Sequence, residues 1–155
     1  MLDLPFCHMH GPEHHILVGF ALLTVYKNAG GDIDFPKALN EMQSRERKIP
    51  GGACGFWGSC GAAIRSAMFI SIVTGATPLA NQEWGMSNLM TTTSLYAIGS
   101  VGGPGCCKHN SYLAITGAVT FAKENLWVEM ELSPIRCRHS AQNNQCIGKR
   151  CPFSG

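Results

Sequence analysis

Eight of the 155 residues are cysteine, and their placement limits what the chain can fold into. Cys54 and Cys60 stand in GGACGFWGSCGAA, and Cys106 and Cys107 are adjacent in GGPGCCKHN. Cys137, Cys146 and Cys151 punctuate the last twenty residues or so, and Cys7 sits beside His8 and His10. The N-terminal MLDLPFCHMHGPEHH has neither the basic nor the apolar region of a secretory leader, so the sequence reads as that of a cytoplasmic chain. In a reducing compartment thiols serve metal or redox chemistry rather than stapling, and the adjacent pair is awkward to staple in any case. The longest apolar run, 16–25, is about half of the roughly 20 residues that a bilayer span needs, so no membrane partner is expected.

The segments between the cysteines read as helices. Residues 10–28 carry Pro12 and Glu13 in the first turn, where a missing N–H costs nothing and a carboxylate meets the positive helix end. The run ILVGFALLTVY is apolar all round, the mark of a buried helix, and Gly30–Gly31 ends it. A polar helix is expected over 35–47 and is broken by Pro50 and the glycines after it. Helices follow over 61–74, opened by Ser59 or Cys60, over 82–98, and over 110–126 with Asn110 as the natural N-cap. Segment 127–132 alternates weakly, as a short strand does, with nothing evident to pair with. The fold expected is all-α: one domain over 1–155. It divides into a helical core, 1–134, and an irregular Cys-rich tail, 135–155, packed on it. Glycine-rich loops present Cys54 and Cys106 at helix N-termini.

That placement is chemical. A helix N-terminus offers unpaired N–H groups and partial positive charge, which favours the thiolate, the form that binds metal. Glycine lets backbone approach a bulky ligand. In the tail the spacing Cys137-x8-Cys146-x4-Cys151, with His139 nearby, suits convergence on one metal with Cys7, His139 or a distant cysteine as fourth ligand; it is neither the zinc-ribbon nor the ferredoxin pattern. His10 and His14 share a helix face, and with His15 they supply bases that titrate near neutral pH. Arg65, on an otherwise apolar helix, has the fork to clamp a carboxylate, and Lys108 can hold one as a point charge. No phosphate loop, complete dinucleotide fingerprint, nucleophile elbow or HExxH zinc motif occurs. The net charge of +2, with no basic stripe, argues against nucleic acid. Charged residues are only 14% of the chain, which suits a surface covered by a partner enzyme or by a second copy in a homodimer.

Residues 52–118 resemble the core of the iron–sulfur L-serine dehydratase alpha domain and of the related L-cysteine desulfidases. The resemblance rests on GACGFWGSCGAA, TGATP, WGMSNLM and GGPGCCKHN, in which Cys106 and Asn110 match a Cys-x-x-x-Asn step. It implies cluster ligation by Cys54 and Cys106. That family has a further cysteine in a Cys-Asp-Pro segment before the glycine loop. Residues 95–100 have none, so a third ligand falls to Cys60, Cys107, Cys7 or the tail. The whole chain also resembles an uncharacterised cysteine-rich domain of anaerobic bacteria and archaea, sometimes found beside methyltransferase or radical-type enzymes.

The function expected is that of an oxygen-sensitive 4Fe-4S protein of an anaerobe's cytoplasm. Its chemistry would be of lyase or desulfidase type on a small amino acid or thiol. The assigned cofactor residues are Cys54, Cys60, Cys106, Cys107 and Asn110, with metal ligands drawn from Cys7, Cys54, Cys106, Cys137, Cys146 and Cys151. The assigned catalytic groups are His10, His14, His15, Arg65 and Lys108. The rival expectations are a non-catalytic zinc or cluster domain serving a partner enzyme, and a metal-free thiol redox or sulfur-carrier protein.

Overall fold

A computed structural model describes Pro5 and residues 7–154. Six helices run in order: α1 (Pro12–Asn28), α2 (Phe35–Glu46), α3 (Ala53–Phe56), α4 (Gly61–Thr74), α5 (Gln82–Val101) and α6 (Cys107–Leu126). No strand forms among the described residues; residues 127–136 run irregularly because nothing lies alongside to complete a ladder. The all-α expectation is met.

The terminators act as their chemistry dictates. Asp34 caps α2 through its carboxylate, which accepts from the Lys37 amide at 3.1 Å. Gly75 ends α4 in the left-handed conformation that glycine adopts without penalty. Asn110 is not the N-cap of α6. Cys106 is, and the helix starts three residues earlier than its polar residues suggest.

α4 lies at the centre and packs against α1, α2, α5 and α6. Gly61, Ala62, Ala63, Ser66 and Ala67 make its buried surface small, so neighbouring helices approach closely, while Phe69 and Ile70 fill what remains. Leu22, Leu23 and Val18 of α1, Met42 of α2, Met90 of α5 and Ala114 and Ala118 of α6 complete one core. Close approach is also visible between α1 and α2: a Cβ on Gly19 would lie 2.6 Å from the Met42 sulfur. Two polar pairs cross this core. Ser66 and Ser94 share a hydrogen bond of 2.9 Å between α4 and α5. Arg65 of α4 grips Glu46 at the end of α2, its Nε and Nη2 donating to the carboxylate at 2.6–2.9 Å, with both side chains buried.

The tail, from 135 onward, has two single-turn 3-10 helices, Ser140–Gln142 and Gly148–Arg150, and an isolated bridge between Cys137 and Ser154. It docks by few contacts. Phe153 stacks edge-on against Tyr112 and tilted against His109 of α6, and Arg150 donates to the Gly103 carbonyl at 3.3 Å.

Candidate thiol centres

The start of α6 splits the cysteines. Side chains one apart on a helix point about 100° apart, and Cys106, at the cap, and Cys107, in the first turn, line different cavities. Cys106 faces the tail. With Cys137, Cys146 and Cys151 it lines a tight gap of about 20 Å³ that also takes in His109, Tyr112, His139, Ser140, Asn143 and Ile147. Cys107 faces the other way, into a cavity of about 380 Å³ shared with Cys54, His15, Gly61 and Arg65. The two glycine-flanked cysteines expected to act together, Cys54 and Cys106, therefore border different cavities; Cys54 shares its cavity with Cys107.

Every thiol of the tail-side ring receives an N–H. The His139 amide donates to Cys137 Sγ at 3.5 Å, and the Gly148 amide to Cys146 Sγ at 3.4 Å. The Phe153 amide donates to Cys151, and Asn143 Nδ2 donates to Cys106 Sγ at 3.6 Å. Three of these donors stand two residues after the cysteine they serve. The turns of the tail, including Gly148 with φ of 58°, thus fold each amide back on its own sulfur. Such donors stabilise sulfur as thiolate. Burial pushes the Cys151 thiol up from its ordinary value, and the fields of Cys137, Cys106 and Cys146 push the same way. Bringing four thiolates together is costly without a cation to neutralise them. Among the described residues, no three Cys, His, Asp or Glu side chains close on a common point as ligands of a single ion do.

His109 follows the cysteine pair in the sequence but is given no role there. It is buried at 5% exposure, borders the tail-side gap, and its Nε2 has no hydrogen-bond partner. Burial lowers its pKa, more than a hydrogen bond with Asn110 raises it. The signal was its spacing: His109 follows Cys106 by three, on the same helix face.

On the opposite side, burial raises the Cys107 pKa; the Gly11 amide opposes this by donating to the sulfur, and the fields of Cys60, Cys106 and Cys54 add to the rise. Cys60, the N-cap of α4, is buried, and Asn110 Nδ2 donates to its sulfur at 3.3 Å. Asn110, expected to assist cofactor binding, thus contacts a cysteine of this group. His15 borders the cavity with Nε2 buried and unpartnered. Its pKa is lowered to about 4, chiefly by burial and then by Arg65 and His14.

The other assigned catalytic groups are engaged elsewhere. His10 Nε2 donates to Asn143 Oδ1 and Gln145 Oε1, each at 3.1 Å, and so ties the N-terminal segment to the tail. His14 is fully buried; its Nε2 donates to the His8 carbonyl at 2.6 Å, which leaves Nδ1 to accept from the Cys7 thiol at 3.4 Å. Cys7 therefore pairs with an imidazole. Arg65 clamps a carboxylate, as its fork allows, but the carboxylate is that of Glu46. Lys108 is buried in the first turn of α6, near enough to His14 to lower its pKa, after the larger effect of burial.

No helix among the described residues is long and apolar enough to cross a membrane. No curated protein and no solved structure matches the chain. The model of a family of unknown function, DUF5714, matches residues 1–154, and the chain belongs to that family.

Proposed function

We propose that the protein binds an iron–sulfur cluster at the ring formed by Cys106, Cys137, Cys146 and Cys151. One observation carries this reading: four cysteines from two distant parts of the chain border one gap, each sulfur served by an N–H donor. Four cysteine thiolates are the usual ligand set of a cubane cluster, and hydrogen bonds to the sulfurs tune its potential. A metal-free redox role fits less well, because raising a thiol's pKa makes it a poorer nucleophile at neutral pH.

The width of the gap favours a second reading. At about 20 Å³ it has room for little more than one water-sized body, as a tetrahedral zinc site has. Four cysteine thiolates hold zinc as well as a cluster, so the metal bound decides between the two readings. Both readings make the protein a metal-binding domain.

The experiment is metal analysis and visible spectroscopy on protein purified and reconstituted without oxygen. A brown protein with broad visible absorbance and acid-labile sulfide, lost in Cys146→Ser and Cys151→Ser, is the expected result. A colourless protein holding one zinc overturns the cluster in favour of the second reading. Unchanged metal content in both variants rejects the ring altogether.

A further inference from the structure

We infer that the outward face of α5 pairs with the same face of a second copy of this chain, the two helices running antiparallel about a two-fold axis between residues 90 and 91. The inference involves no cysteine and does not depend on the metal reading.

α5 packs against α4 and α6 and buries only Met90 and Ser94 fully. Its opposite face carries Gly85, Leu89, Thr92, Tyr96 and Gly99, spaced 4-3-4-3. That alternation keeps all five on one stripe, as it does for the seam positions of paired helices. Leu89 is 60% exposed and Tyr96 78% exposed.

Charge, hydrogen bonding and space all mark this face as one made to be covered. From Trp84 through Cys107 there is no charged residue, and Glu83 is the sole one in the helix, where about a quarter of residues would ordinarily be charged. The polar side chains along the stripe are already served by the helix itself. Thr92 Oγ1 donates to the Asn88 carbonyl at 3.0 Å, Thr93 Oγ1 to the Leu89 carbonyl at 2.9 Å, and Asn88 Nδ2 to the Trp84 carbonyl at 2.9 Å. Groups bonded in this way lose their water at little cost. A Cβ on Gly85 or Gly99 would meet no atom within 4 Å beyond its own stretch of helix. The packing of the chain therefore does not require glycine at either position, although glycine weakens a helix. A second helix laid along the stripe would use the space that both leave open.

The spacing selects the occupant. In an antiparallel pair centred between residues 90 and 91, Leu89 of one copy faces Thr92 of the other, and Tyr96 faces Gly85, each contact occurring twice. Every layer thus sets a large side chain against a small one, as a well-filled seam does. A face whose two halves fit each other is self-complementary, which a two-fold contact demands. An uncharged strip also meets itself without like-charge repulsion, whereas a charged partner surface would be desolvated against it with nothing to pair with. A seam along one helix of about 30 Å covers less than the roughly 800 Å² per partner of a standard interface, so the pairing is reversible, with a Kd on the order of micromolar or weaker.

The test is sedimentation equilibrium of the full-length chain, kept reduced and free of oxygen, from about 1 µM to about 500 µM, a range that brackets such an interface. The unaltered chain is expected to pass from monomer to dimer across it. Leu89→Lys and Thr92→Glu should each weaken pairing at least tenfold. Mixed together they should regain it as a heterodimer, because positions 89 and 92 of opposite copies then carry opposite charges. Gly85→Leu should weaken pairing as well, by filling the space that Tyr96 of the other copy takes, yet melt no lower than the unaltered chain at a dilution where both are monomers. A chain that stays monomeric at every concentration overturns the inference, as does a dimer that Leu89→Lys and Gly85→Leu leave intact. Single variants that are monomeric alone and remain so when mixed overturn the antiparallel register. A monomer that floats with phosphatidylcholine vesicles, and no longer does so in Leu89→Lys, gives the face to lipid and overturns the second copy. Cys146→Ser/Cys151→Ser should pair as the unaltered chain does, so loss of the metal centre and loss of pairing are read separately. Far-ultraviolet circular dichroism of each variant separates lost pairing from lost folding.

Discussion

The helical core and the tail are held in different ways. In the core, α4 packs small residues against four neighbouring helices, and its polar residues are matched by partners. In the tail, Asn143 is the sole buried residue among 135–154, and most backbone hydrogen bonds reach only three residues along the chain. A segment with so little apolar burial does not offset the entropy of ordering its backbone, about 1–2 kcal/mol per residue. Metal at the proposed ring would supply the tail with order that burial does not. The difference separates a region held by hydrocarbon burial from one held by short turns and hydrogen bonds to sulfur.

Metal removal should break the comparison most sharply. Stripped protein, or Cys146→Ser/Cys151→Ser, should be cut by trypsin at the exposed Arg136, Arg138, Lys149 and Arg150 at least tenfold faster than loaded protein, with helical circular dichroism unchanged. Equal protection of the tail with and without metal would show that it packs by itself.

Within the core, Glu46→Ala leaves the Arg65 guanidinium buried and unpaired, and should cost about 3–5 kcal/mol in urea unfolding. The double variant Glu46→Leu/Arg65→Met should recover most of that loss. A small cost for the single variant would mean that water reaches the pair.

Acid should weaken the core at a known place. The folded pKa of His15 lies at about 4, below the ordinary 6.5, so the unfolded chain takes up the proton first as pH falls. The associated stability is complete above about pH 6.5 and is lost progressively down to about pH 4; roughly 2 kcal/mol should go between pH 7 and pH 5. Burial pushes His14 and His109 in the same direction. Unfolding of metal-free His15→Gln should be less dependent on pH over that interval, and an identical profile would contradict the assignment.

Two smaller effects sharpen the picture of packing. Gly19→Ala places a methyl group against the Met42 sulfur and should cost about 1–3 kcal/mol as α1 and α2 are forced apart. Trp127, which ends α6 at φ 58° and is 88% exposed, holds a conformation that costs a side-chain-bearing residue about 1–2 kcal/mol. Trp127→Gly should gain about 0.5 kcal/mol after the entropy of glycine is subtracted.

Much of the fold was legible because helix signals are local. Pro12, the Asp34 cap, Gly75 and the all-apolar stretch of α1 each act within a turn, and the structure places helix ends within a few residues of where they point. The sites were less legible because they depend on rotation and on distant docking. Starting α6 at Cys107 rather than at Asn110 sets which of two neighbouring thiols faces which cavity, and polar residue preference favoured the wrong start. The Arg65–Glu46 grip spans 19 positions and exists only once α2 lies on α4. The rings of tail donors depend on turns that no periodicity marks. Spacing along α6 did carry one usable clue: Cys106 and His109 fall on one face, and Cys107, Asn110 and Ser111 on another.

Cys106 and Cys107 are joined by one flat amide, the stiffest link a chain possesses. The torsions on either side of that plane, ψ of Cys106, φ of Cys107 and the two χ1 angles, stay soft, so each sulfur can adjust without dragging the other. A designer can therefore rebuild one flank of this dipeptide while the rigid link keeps the backbone of the other in place.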